Sequence, residues 1–170
     1  MSSVCFRYFN AAGAEPTNYD LGQPSGASHI VASIIEAKLN SRPFVLNGND
    51  YNTADKTCIR DYVHVWDIAD AHVKAINFYG NPEATPVSVI LNLGTQHGIS
   101  NQEIINYVIE KYGTLDITHG VRRKGDPDML VADASKARTI LGWEPTHSSI
   151  SKIVDTAYQW YTNWYRNNHV

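Results

Sequence analysis

The chain has 170 residues, 43% of them hydrophobic and 18% charged, and carries a formal net charge of −3. This is enough apolar material for a globular core in one domain or part of one, and the charge offers neither a basic surface for nucleic acid nor a polybasic membrane anchor. No apolar run approaches the roughly 20 residues that a membrane-spanning helix needs.

The first element is a short apolar run, Val4 to Phe9, expected to be a buried strand that ends in Asn10. A loop rich in Gly, Pro, Asn and Ser follows from Ala11 to Ala27, and Ser28 is placed to cap a helix. That helix shows an apolar stripe, Ile30, Val31, Ile34, Ile35 and Leu39, and stops at Asn40-Ser41-Arg42-Pro43. Phe44 to Leu46 reads as a short strand before a turn-rich loop from Asn47 to Lys56. Ile59 to Val65 alternates as a strand does, and Asp67 is placed to cap a helix from Ile68 to Tyr79, ended by Gly80. Val87 to Leu93 is almost wholly apolar, the pattern of a parallel strand buried on both faces. A further helix opens on a capping box, Ser100-x-x-Glu103, and places Ile104, Ile105, Val108 and Ile109 on one side. A short strand near Asp116 to His119 and the Arg122 loop come next. A helix from Ala134 to Leu141 follows, and a long amphipathic helix from about Ser149 to Arg166 closes the chain. Strands separated by helices define an α/β fold.

Cys5, in a strand expected to be buried, and Cys58, beside a polar turn, suggest reduced thiols rather than a disulfide framework. Met1 to Cys5 has neither the charged nor the long apolar region of a signal peptide, so a cytoplasmic location is expected. No Cys/His spacing resembles a metal site.

Three stretches carry most of the chemistry: RYFNAAGAEP from Arg7, TCIRDYVHVWDIADAH from Thr57, and RRKGDPDMLVADASKA from Arg122. In this order and spacing they resemble the C-terminal half of the UDP-glucose 4-epimerases, within the extended short-chain dehydrogenase/reductases. The likeness runs from Arg7 to about Trp160. Asn-Ala-Ala-Gly-Ala after Arg-Tyr-Phe favours the 4-epimerase branch over the related nucleotide-sugar dehydratases. The resemblance implies one truncated α/β unit over residues 1–170. It would hold the C-terminal part of a Rossmann-like fold, mainly the small substrate-binding lobe plus the last strands of a parallel sheet. One edge and parts of both faces of that sheet would be uncovered.

The family's Gly-x-x-Gly-x-x-Gly phosphate loop and its catalytic Tyr-x-x-x-Lys pair belong to the other half. A dinucleotide site needs that glycine turn so its backbone can approach the pyrophosphate. Gly94 to Gly98 has the wrong spacing for it. Tyr107-x-x-x-Lys111 is an i, i+4 pair on the side of the Ser100 helix, and no catalytic residue is assigned to this chain.

What the resemblance does assign is anion and nucleotide recognition. Arg60 and Arg123 correspond to the phosphate-contacting arginines, whose forked guanidinium groups suit phosphate oxygens. Asp126 corresponds to the aspartate on the ribose and Asn10 to the asparagine that bonds the sugar-nucleotide. Val45, Leu46 and Asn47 would hold the uracil, and His29 stands where relatives contact a phosphate through the backbone. Tyr8 and Phe9 would line the nicotinamide end of NAD. Leu130 matches a position that sets room around the sugar's C2 substituent, and leucine leaves substrate breadth open.

Plainer roles compete: a structural ion pair for Arg60, a solvated basic pair for Arg122 and Arg123, a turn cap for Asn10. Core packing is the default for Tyr8 and Phe9, which face opposite sides of a strand. His64 and His72 read as structural and His97 as loop. Two functions follow. The chain is either the UDP-glucose- and UDP-galactose-binding half of an epimerase, inactive and without NAD on its own, or a non-catalytic nucleotide-sugar-binding or interaction module. The first expects a separate N-terminal half or self-association.

Overall fold

The computed structural model describes residues 3–24, 26, 29–79 and 88–168. The strands are β1 (Ser3–Tyr8), β2 (Asn10–Ala12), β3 (Phe44–Asn47), β4 (Ile59–Arg60), β5 (Tyr62–His64), β6 (Ser88–Leu93), β7 (Ile99–Ser100), β8 (Ile117–Gly120) and β9 (Met129–Leu130). The helices are α1 (Ile30–Leu39), α2 (Val65–Tyr79), α3 (Asn101–Tyr112), α4 (Ser135–Leu141) and α5 (Ile150–Asn168). The expected α/β class holds. β1 pairs with β6, β2 with β5 and β3 with β8, all parallel, while β4 takes β7 antiparallel on one side and β9 parallel on the other.

Two cores form. In the first, Val31, Ile34 and Ile35 of α1 meet Ile104, Ile105 and Val108 of α3, Ile153, Val154 and Tyr161 of α5, and Phe44 and Leu46 of β3. The capping box starts α3 as expected: Ser100 Oγ accepts from Glu103 N, and the Glu103 carboxylate accepts from Ser100 N. Ile109 packs against this core only partly buried. The second core joins Val89, Leu91 and Leu93 of β6 to Ala71 and Ala75 of α2, Ala137 and Leu141 of α4, and Trp143.

Several expectations are corrected. β1 is not buried: Cys5, Arg7 and Tyr8 are exposed. β6 is not covered on both faces either, since Val89, Leu91 and Leu93 point inward while Ser88 and Ile90 are exposed. The reason is that helices cover one face of the β1–β6 pair only. The strand expected through Phe9 breaks there. Phe9 N donates to Leu93 O, Asn10 N to Asp61 O, and the chain moves from β6 as neighbour to β5. Asn10 therefore opens a strand rather than ending one.

The expected strand from Ile59 to Val65 also splits, and Val65 is already helical. Asp67 sits inside α2, not at its cap. Its carboxylate accepts from Thr146 N at 3.0 Å, His147 N at 2.9 Å and Ser148 Oγ at 2.5 Å, tying the approach to α5 onto α2. His29, with no capping side-chain bond, is the N-cap of α1. Ser28 and Gly80, expected as helix boundaries, and Val87, expected to begin a strand, lie outside the described residues.

Candidate functional site

A cavity of about 380 Å³ opens where the start of α1, strands β3 and β4, and the loop after β8 converge. Asn10, His29, Val45, Leu46, Asn47, Arg60, Arg123 and Asp126 all line it. Leu46 is 2% exposed and belongs to the first core, whereas Val45 on the opposite side of β3 is half exposed. Alternation along a strand produces this difference.

The polar centre of the cavity is an ion pair. Arg60 is buried, and its Nη2 lies 2.5 Å from Asp126 Oδ1 while Nη1 donates to Ile59 O at 2.7 Å. Arg60 does pair structurally, but with Asp126 and not with its sequence neighbours. Asp61 is taken by Thr95, Gln96 N and Ala132 N, and Asp55 by Thr57 and Ser100.

The other oxygen of Asp126 accepts from Tyr51 OH at 2.7 Å. Arg122 stacks its guanidinium 4.0 Å above the Tyr51 ring, and its Nη2 donates to Asp126 O at 2.6 Å. Partial burial would raise the Asp126 pKa, but the hydrogen bonds from Tyr51 and Arg60 and the charges of Arg60 and Arg123 outweigh it, so the carboxyl stays below its ordinary value. Burial, then the bond to Asp126, pushes the Tyr51 phenol up, and it remains a neutral donor. Gly48 lets this aromatic in: its φ is +82°, and a Cβ there would lie 2.5 Å from Tyr51 Cε2.

Tyr51 went unassigned in the sequence reading, as did Gln23, Cys58, Tyr62 and Asn101, which also line the cavity. An aromatic residue inside the polar turn after β3 was the available signal for Tyr51. Burial raises the Cys58 thiol, with Arg60 opposing, so it is a poor nucleophile. His29 presents an imidazole whose two nitrogens are buried without a protein partner, its ring set edge-on to Tyr62. Burial lowers its pKa and keeps it neutral. With two arginines against one aspartate on its walls, the cavity carries net positive charge and suits an anion that also offers hydrogen-bonding groups.

Three assigned residues lie elsewhere. Leu130 is exposed on β9, opposite Arg60 in the strand register. Tyr8 is half exposed at the end of β1, its hydroxyl bonded to His72 Nε2 at 2.9 Å. Phe9 follows it between strands. Neither Tyr8 nor Phe9 lines the cavity.

Tyr107 and Lys111 are held away from the cavity, both bonded to Asp155 on α5. His64 is fully buried and structural as expected, with Nε2 2.9 Å from Thr156 Oγ1 and Nδ1 accepting from Trp66 N. Burial lowers its pKa to about 4. Among the described residues no group of three His, Cys, Asp or Glu side chains is placed to hold a metal ion, and no helix is long and apolar enough to cross a membrane.

The chain is thus an α/β unit with a polar, arginine-lined cavity. The chain belongs to the GDP-mannose 4,6 dehydratase family, whose model matches residues 1–156. Similar curated proteins include several UDP-glucose 4-epimerases. The enzyme of Lacticaseibacillus casei is 42% identical over 162 residues, which is 94% of this chain and 48% of the relative, and that of Lactobacillus helveticus is 41% identical over 161 residues, 93% of this chain and again 48% of the relative.

Solved structures agree. The Stenotrophomonas maltophila UDP-glucose 4-epimerase, with bound NAD and formylated UDP-arabinopyranose, superposes with a TM-score of 0.89 at 32% identity, over 98% of this chain and 49% of that one. The Bifidobacterium longum enzyme, in complex with NAD+ and UDP, gives 0.85 at 32% identity, over 95% and 48%. The chain thus spans about half the length of the relatives it matches, and the half is the C-terminal one.

Proposed function

We propose that this chain is the UDP-sugar-binding half of a UDP-glucose 4-epimerase, and that its cavity anchors UDP while the sugar reacts elsewhere. The single observation that supports this most is the convergence of Asn10, His29, Val45, Leu46, Asn47, Arg60, Arg123 and Asp126 on one cavity. In this reading Arg60 and Arg123 meet the diphosphate, Asp126 the ribose, and β3 the uracil. Arg60 is pre-oriented by Asp126, so little side-chain freedom is lost when phosphate binds. NAD and the proton-transferring groups come from the other half of the epimerase. Tyr8 and Phe9 meet only the nicotinamide end, and this half alone retains neither NAD nor activity. Leu130, exposed beyond Arg60, borders the sugar.

The test is titration of UDP by calorimetry or NMR. Weak binding is expected, no tighter than roughly the high micromolar range. Arg60→Ala and Arg123→Ala each weaken it by about 1.5–3 kcal/mol, as lost charge-assisted hydrogen bonds do, and added salt weakens it further. Equal binding by all three proteins would make the arginines structural. No binding by the wild type would leave the cavity without this ligand.

A further inference from the structure

Tyr51 is 1% exposed although it stands in a turn of polar residues. A buried phenol needs a partner for its hydroxyl, and this one donates to Asp126 Oδ2 at 2.7 Å. The other oxygen of that carboxylate holds Arg60 Nη2. One carboxylate thus joins a phenol from the turn after β3 to a guanidinium from β4.

Tyr51 is itself held firmly. Its N–H donates to Lys56 O, and its carbonyl accepts from Thr53 N. Asp55 closes the same turn by accepting from Thr57 N and Thr57 Oγ1, and it also accepts from Ser100 Oγ, the N-cap of α3. A second carboxylate clasps the turn to the loop after β8, since Asp128 Oδ1 accepts from Asn52 N at 3.1 Å. Arg122 spans both ties. Its Nη2 lies 3.0 Å from Asp128 Oδ1 and donates to Asp126 O, while its guanidinium stacks above the Tyr51 ring. A planar guanidinium can stack and hydrogen-bond at once, which an ammonium cannot do.

A carboxylate bonded through one oxygen can swivel about its Cβ–Cγ bond. Bonded through both, it can turn only by breaking a contact. The Tyr51 hydroxyl therefore fixes the plane of Asp126, and that plane sets where Arg60 Nη2 must lie, with Nη1 kept on Ile59 O.

We propose that Tyr51 is a positioning residue for anion binding in the cavity: acting through Asp126, and clamped by Arg122, it orients the Arg60 guanidinium before the ligand arrives. The inference rests on reading the cavity as the anchor for UDP. Tyr51 acts through its neighbours, because its hydroxyl is taken by Asp126 and Arg122 covers a face of its ring. Ordering Arg60 in advance lowers the entropy that binding must overcome.

The test compares Tyr51→Phe, which keeps the ring under Arg122 and removes only the hydroxyl, with the wild type. Rotation of the Arg60 guanidinium, followed by NMR and assigned through the signals lost in Arg60→Lys, should become severalfold faster. UDP affinity should fall by about fivefold to tenfold, the loss of a hydrogen bond to a charged group. In an Asp126→Ala background the same substitution should change UDP affinity by less than about twofold, because coupled residues are not additive. Unchanged Arg60 rotation in Tyr51→Phe, or an equal loss of affinity without Asp126, overturns the proposal. Arg122→Lys keeps the hydroxyl and should loosen Arg60 by a smaller factor; should Tyr51→Phe fail to fold, a rigid Arg60 in Arg122→Lys overturns it instead. Faster Arg60 rotation in Tyr51→Phe with no UDP binding by the wild type supports the positioning and removes the nucleotide reading, so the two fail separately.

Discussion

The two cores of this molecule are built by the same rules and reach different degrees of completion. Around α1, α3 and α5, large aliphatic residues point inward: Ile34, Ile35, Ile104, Ile105 and Ile153 are all at most 1% exposed. Around β1, β6 and α2 the helix turns Ala71 and Ala75 inward with Ile68 beside them, and leaves Trp66, Val73 and Ile76 outward. An ordinary surface helix does the reverse, since burying a larger side chain removes more apolar area from water. The difference is that α2 leaves large apolar side chains exposed, whereas α3 and α5 pack theirs against α1 and β3. The cavity between α1, β3 and β4 draws on the first of these regions through Phe44, Leu46 and Tyr62.

The largest expected effect separates the regions by stability. Ile105→Ala removes fully buried methyl groups at the α1–α3–α5 junction and should cost about 2–5 kcal/mol. Ile76→Ala and Ile90→Ala remove exposed ones and should stay within about 0.5 kcal/mol. Urea unfolding of the three variants measures this. Comparable losses at all three positions would mean that the second region has closed in solution and that the contrast drawn here is wrong.

Acid should also act across the join between the regions. His64 is buried between β5 and α5, with Asp67, His147 and Lys152 as its charged and titratable neighbours. Burial is the main cause of its folded pKa of about 4, against an ordinary value of 6.5; His147 and Lys152 lower it further, and Asp67 opposes them. The depressed value means that the unfolded chain binds a proton before the folded one does. The stability contribution is complete above about pH 6.5 and is lost progressively as pH falls toward 4, by at most about 3 kcal/mol. His64→Gln should flatten the fall in unfolding free energy over that interval. An unchanged slope would put the acid sensitivity on the carboxylates instead.

Legibility followed locality. The start of α3 could be read because Ser100 and Glu103 close the capping box on each other, and the stripes of α1 and α5 because a helix repeats its pattern within a few residues. β7 and β9 could not, since two residues become a strand only by pairing with Ile59 and Arg60 from elsewhere in the chain. The cavity was legible in its residues through resemblance, but not in its wiring. Arg60 pairs with Asp126 across 66 residues, and Tyr51 completes the group from a third segment. Cys5 and Ile90, expected to be buried, face solvent because a strand's apolar pattern does not say whether a layer exists to cover it.

The smallest expected effect tests whether Tyr107 and Lys111 belong only to the closed region. Tyr107 OH donates to Asp155 Oδ1 at 2.9 Å, and Lys111 binds both the phenol and the same carboxylate. Asp155 also receives Tyr112 OH at 2.7 Å, so Tyr107→Phe leaves it with two partners. The pair is at most partly buried and ties α3 to α5. Removing one hydroxyl should cost about 0.5–1.5 kcal/mol, nearer the lower bound because water can replace it. UDP affinity should not change, since neither residue borders the cavity. Turnover of UDP-galactose by the chain complexed with an epimerase N-terminal half should be equally indifferent. Loss of turnover in Tyr107→Phe with stability and UDP affinity intact would make this tyrosine a proton-transfer group and overturn its placement among the structural ties between α3 and α5.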